Sequence, residues 1–131
     1  MTPAVQAVLT VLLVLEVKHF IFDYPLQTTY QLKNKVTYGH AGGLLHAGLH
    51  ILGTSAIFLV VRPSLGIGLA IPAGEFLVHY HLDWGKGQLI LRSGLTVKDG
   101  PYWWAIGVDQ LLHQLTYLAI TAILVATSST G

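Results

Sequence analysis

Apolar residues run along this chain in four long stretches, and each is broken near one end by two polar residues four positions apart. The first stretch predicts a helix over about Pro3 to Tyr24, with Pro3 suited to a first helical turn and Pro25 closing the far end. Leu26 to Gly39 is polar and aromatic, and reads as an interfacial loop or short surface helix. A second helix is expected over about His40 to Val61, ending at the Arg62-Pro63 turn. A third covers about Ser64 to Trp84, with Pro72 kinking it near the middle. Gly85 to Gly100 reads as a basic, glycine-punctuated connection containing the amphipathic run 88–92. The fourth helix covers about Pro101 to Ala126, before a short Thr/Ser tail. Short connections make successive helices antiparallel. The expected fold is all-α: an antiparallel, up-down four-helix transmembrane bundle with an interfacial segment after helix one, forming one domain over residues 1–131.

Composition moves these stretches into a membrane. Of 131 residues, 53% are hydrophobic and only 10% charged, and the mean hydropathy is +0.60. Roughly 20 apolar residues of helix span the hydrocarbon of a bilayer, which explains this composition better than an oversized core. The N-terminal run lacks a basic leader and continues into polar positions, so it reads as a retained membrane helix. There are no cysteines, which removes disulfides and thiolate metal sites. A formal charge of +1 gives no reason to expect a nucleic-acid partner.

The interrupting pairs are His19 with Asp23, His46 with His50, His79 with Asp83, and Asp109 with His113. Residues four apart share a helix face, one turn up, and two imidazoles so placed grip one ion. The pairs alternate between the C-terminal and N-terminal parts of successive helices. Antiparallel packing therefore brings all eight to one depth. Ionisable groups inside membrane helices are costly and mark function by default. Histidine and carboxylate ligands without sulfur suit zinc, iron or manganese, and eight are too many for one ion. Two divalent ions are expected, with zinc favoured.

Loop charges set orientation. Lys33, Lys35, Lys86, Arg92 and Lys98 lie on the ligand side, against Arg62 on the other. The positive-inside rule then puts the site in the cytoplasm and both termini outside. Aromatic residues at the same level, among them Tyr24, Trp84, Trp103 and Trp104, form an interfacial belt. Eight glycines, Gly42, Gly43, Gly48, Gly53, Gly66, Gly68, Gly74 and Gly107, are expected at close helix contacts. Glu75 lies one turn deeper than His79 and Glu16 nearly in line with His19; either can act as an extra ligand, an orienting partner or a proton acceptor. Glu16 can equally be neutralised by Lys18 or by a lysine reaching the interface. Lys35, Lys86 and Gln27 flank the site mouth, where they can hold an anionic substrate group. His81 is expected to face headgroups or a neighbour, and His40 to be structural.

The motifs His19-x-x-x-Asp23-Tyr24-Pro25-Leu26-Gln27, Asn34-Lys35, His46-x-x-x-His50, His79-x-x-x-Asp83-Trp84-x-Lys86 and Asp109-Gln110-x-x-His113 resemble those of a bacterial domain-of-unknown-function family of small inner-membrane proteins. The resemblance covers nearly the whole chain. It implies a four-helix, multi-pass protein of the bacterial inner membrane with an uncharacterised His/Asp site. A looser likeness is to membrane-bound metal-dependent hydrolases, whose His-Ser pair is absent here.

The expected function is a metal-dependent hydrolase at the cytoplasmic leaflet, acting on a phosphoester or other lipid-headgroup bond with water activated at the metal. Its partners are membrane lipids and a lipid or amphiphilic substrate. The alternatives are a di-iron membrane oxidase or hydroxylase, and a non-catalytic metal-binding membrane subunit. The apolar outer half of helix one argues against a transport path.

Overall fold

A computed structural model describes residues 1–128. Among them there is no strand: the elements are α1 (Pro3–Asp23), α2 (Thr29–Asn34), α3 (Ala41–Thr54) with a 3₁₀ turn continuing it (Ser55–Leu59), α4 (Leu65–Arg92) and α5 (Gly100–Ser128). The predicted Thr/Ser tail is helical through Ser128, and its remainder, 129–131, lies outside the described residues.

Local chemistry accounts for the boundaries. Thr2 caps α1, its Oγ1 accepting from Val5 N at 3.4 Å, and Pro3 fills a position that needs no N–H donor. In α2, Thr28 and Gln31 form a reciprocal capping box, with Gln31 N donating to Thr28 Oγ1 at 3.3 Å and Thr28 N to Gln31 Oε1 at 2.8 Å. His40 caps α3, its Nδ1 accepting from Gly42 N at 3.0 Å. The segment after α1 is therefore a short helix, and it packs on α3. A Cβ on Gly42 would stand 2.8 Å from Asn34 Cβ and 3.1 Å from Tyr30 O. Only hydrogen fits there.

Two boundaries differ from the sequence expectation. The second long helix is α-helical only to Thr54, then tightens to 3₁₀ through Leu59. The third does not stop at Trp84 but continues through Gly85 and Gly87 to Arg92. Tertiary contacts override the low helix propensity of glycine here. Gly87 lies so close to Val36 that a Cβ would come 2.5 Å from its Cγ1. Gln88 Nε2 donates to Val36 O at 2.6 Å. The helix is closed just beyond Arg92 by Gly94, with φ at +62° and Leu95 N donating back to Ile90 O at 3.1 Å. Pro72 stands within α4 without ending it.

The long helices pack as neighbours, α1 against α3 and α5, and α4 against the same two. An apolar core of Val11, Leu15, Ile57, Ile71, Tyr117, Ile120 and Leu124 fills one end of the assembly. Of the eight glycines expected at close contacts, Gly42, Gly43 and Gly53 are tightly approached, whereas a Cβ on Gly48, Gly66, Gly74 or Gly107 would meet nothing within 4 Å.

Three helical spans are long and apolar enough to cross a bilayer: Pro3–Asp23, Ala41–Leu59 and Gly100–Thr127. Large apolar side chains such as Leu9, Leu13, Leu115 and Leu118 point outward on α1 and α5, as they do in lipid. These features mark a membrane protein. α4 is not one of the three spans; Glu75, His79 and His81 interrupt its apolar half, and Glu75 and His79 are buried.

Candidate metal centre

Each long helix delivers its pair to one place. The end of α1 brings His19 and Asp23, the middle of α3 His46 and His50, the middle of α4 His79 and Asp83, and the first half of α5 Asp109 and His113. Seven of the eight are buried, and Asp23 is partly so. Ring centroids are 3.8 Å apart for His50 and His79, 4.7 Å for His46 and His50, and 4.4 Å for His79 and His113.

Two donor sets result. Asp23, His46, His50 and His79 each offer a ligand atom within 4.8 Å of the others, as do Asp83, Asp109 and His113 separately. Asp23 Oδ1 is 3.1 Å from the Nε2 atoms of both His46 and His50. His46 Nε2 also lies 3.1 Å from Asp83 Oδ2, which links the two sets. Burial this complete leaves polar atoms without partners: His50 Nδ1, both ring nitrogens of His79, Asp109 Oδ1 and His113 Nε2. Such orphans are costly unless something else satisfies them. His113 Nδ1 faces its own helix's Asp109 carbonyl at 2.8 Å, so Nδ1–H donates there and the lone pair of Nε2 points inward. That is how an outer hydrogen bond prepares an imidazole for a metal. Three imidazoles and a carboxylate fit zinc, iron or manganese.

His19 stands outside both sets. Its Nε2 lies 3.1 Å from Asp23 Oδ2 and 3.1 Å from Gln110 Oε1, both acceptors, so this nitrogen carries the proton. Nδ1 then accepts from the Tyr117 hydroxyl at 2.8 Å. The chain Tyr117–His19–Asp23 orients the carboxylate.

The residues expected at the mouth are engaged inside it. Lys86 Nζ donates to Asp83 Oδ1 at 3.0 Å and to Asp109 Oδ2 at 2.7 Å, and Lys35 Nζ to Asp83 Oδ2 at 3.3 Å. Gln27 Nε2 is 3.3 Å from His46 Nε2. Beside them opens a cleft of about 640 Å³, with Asp23, Gln27, Lys35, Lys86 and Asp109 among its polar lining and Leu32, Ile90, Leu91 and Trp103 among its apolar lining.

Glu75 is buried and paired with Lys18 through Oε1, while its Oε2 has no partner. Glu16 is on the exposed face of α1. The expected pairing of Lys18 with Glu16 is thus corrected: Lys18 turns inward, donating also to His50 O at 3.4 Å and lying 4.6 Å from the Tyr117 ring centroid. Tyr117 carries one signal of this role in the sequence, its position four after His113, which puts it on the same face. His40 is a helix cap, and exposed His81 bonds to Tyr38 Oη at 3.1 Å.

Comparison with known proteins places this architecture in a family without an assigned activity. A family described as "Protein of unknown function (DUF3307)" matches residues 8–130, and the chain belongs to it. No curated protein and no solved structure matches.

Proposed function

We propose that this protein is an integral membrane metalloenzyme that hydrolyses a phosphoester or other headgroup bond of a lipid or amphiphile. Its four long helices cross the bacterial inner membrane up and down, both termini lie outside, and the site faces the cytoplasm, where Lys33, Lys35, Lys86, Arg92 and Lys98 gather. One observation carries the reading: a buried donor set with unpartnered ring nitrogens stands beside a cleft lined by both polar and apolar side chains.

Asp23, His46, His50 and His79 hold the ion. A divalent cation there supplies Lewis acidity and eases deprotonation of water. The protein's own groups do the rest. His19, fixed by Tyr117, orients Asp23. Gln27 and Lys35 line the cleft, where they meet an anionic headgroup, while Leu32, Ile90 and Trp103 cover its apolar part. Glu75, whose Oε2 is free, is the proton acceptor of this reading; exposed Glu16 has no part in it.

Metal analysis of detergent-purified protein beside a His46→Ala/His50→Ala variant tests this. Zinc or manganese bound by the native protein and weakened at least about 100-fold in the variant is expected, since even outer-shell losses reach that size. Turnover of lipid phosphoesters by the native protein alone completes the case. Iron with a redox-sensitive spectrum selects a di-iron oxidase instead. No metal after reconstitution leaves a membrane subunit joined by its Asp–His contacts, which the 3.1 Å spacing of Asp23 from both His46 and His50 also accommodates.

A further inference from the structure

The second donor set already encloses a positive charge. Lys86 Nζ lies between Asp83 Oδ1 and Asp109 Oδ2, at 3.0 and 2.7 Å, and its side chain is 15% exposed. An ion bound by those oxygens would sit roughly 2.0–2.2 Å from them, in the space the ammonium approaches. Two cations so close in a poorly solvated interior repel strongly. One must leave.

Charge balance points the same way. Asp83 and Asp109 face Lys35 and Lys86, Asp23 faces His46 and His50, and Glu75 is matched by Lys18. The three carboxylates and two ammoniums leave one negative charge for an ion to meet. One divalent ion turns this into a single positive charge, and two ions into three. Excess charge buried at membrane depth is costly.

We propose that the centre binds a single divalent ion, at Asp23, His46, His50 and His79, and that the Lys86 ammonium occupies the second cation position. The proposal rests on the metal reading above and deepens it. Two-metal hydrolases clamp an anionic substrate between two positive centres. Here a side chain supplies one of them, and Lys86 lines the cleft from which such a substrate would enter. The atoms a second ion would need, Asp109 Oδ1 and His113 Nε2, are buried without partners. Removing the lysine opens that position.

The test is zinc stoichiometry of the full chain in detergent, stripped, reloaded and freed of excess ion. Circular dichroism and gel filtration establish that each variant folds as the native protein does. One equivalent is expected in the native protein and in Lys86→Arg, two in Lys86→Gln, and one again when Asp109→Asn is added to Lys86→Gln. Should Lys86→Gln fail to fold, Lys86→Met, which keeps the bulk of the chain, carries the same expectation. Two equivalents in the native protein overturn the proposal, as does one in both the native protein and Lys86→Gln. No zinc in any of them overturns the metal reading itself, whatever the lysine does.

Discussion

On one side of Lys18 the long helices meet through Val11, Leu15, Ile57, Ile71 and Leu124; on the other they meet through five histidines and three aspartates. The same helices thus pack by two unlike chemistries. The apolar end costs nothing in desolvation, and inside a bilayer it gains only by close packing, because lipid tails are as apolar as leucine. The polar end must satisfy buried charges among themselves, a costly arrangement that apolar residues of similar volume often match or exceed in stability. Stability alone does not explain its presence. What the contrast teaches is a division of labour, in which one end fixes the helices and the other holds ligands on the frame so made.

Lys18 and Glu75 mark the junction, and breaking them should have the largest effect. Their side chains are 6% and 1% exposed. Lys18→Met strands the Glu75 carboxylate in a dry interior, with an expected loss of about 3 kcal/mol on unfolding in detergent. The double variant Lys18→Met/Glu75→Leu, having no stranded charge, should recover most of that. A single-variant loss below about 1 kcal/mol would mean that water reaches the pair, and the sharp boundary between the two ends would be gone.

Leu15→Ala strikes the apolar end alone. Leu15 is fully buried against that core. Leucine-to-alanine changes at such sites cost 2–5 kcal/mol in water-soluble proteins, and about 2 kcal/mol is expected where only packing is lost. Metal bound per folded molecule should not change. If Leu15→Ala halved the metal content of the folded fraction, the ends would be coupled rather than divided.

How much of this could be read from the chain differs between the ends as well. All eight polar pair members converge, and the i, i+4 spacing that puts each pair on one helix face is visible in the sequence. The all-helical content and the spacing needed no side-chain detail. Three things did. The passage of α4 through Gly85 and Gly87 depends on Val36, whose position is set by the packing of α2 on α3. The inward turn of Lys18 depends on Glu75, 57 positions away. The engagement of His19 Nδ1 away from the donor sets depends on Tyr117, which looks in the sequence like one more aromatic residue of an apolar helix. Local spacing places a residue on a face. Which neighbour it meets there is decided by a partner far along the chain.

Tyr117 belongs to both ends, and replacing it is the finest probe of where they join. Its ring packs in the apolar core while its hydroxyl donates to His19 Nδ1 at 2.8 Å. Tyr117→Phe keeps the ring and removes only that donor. The lone pair of His19 Nδ1 is then buried without a partner, which costs about 1–2 kcal/mol, less than the cavity left by Leu15→Ala. His19 also loses what fixes its tautomer, so Nε2–H no longer points to Asp23 in every molecule. Metal affinity, followed by competition with a chelator, should fall about 10-fold, the lower end of outer-shell effects. If affinity stayed native while stability fell, His19 would be a packing residue, and the polar end would begin at Asp23. If affinity fell by as much as in His46→Ala/His50→Ala, His19 would itself be a ligand, and the donor set would reach one turn further toward the apolar core.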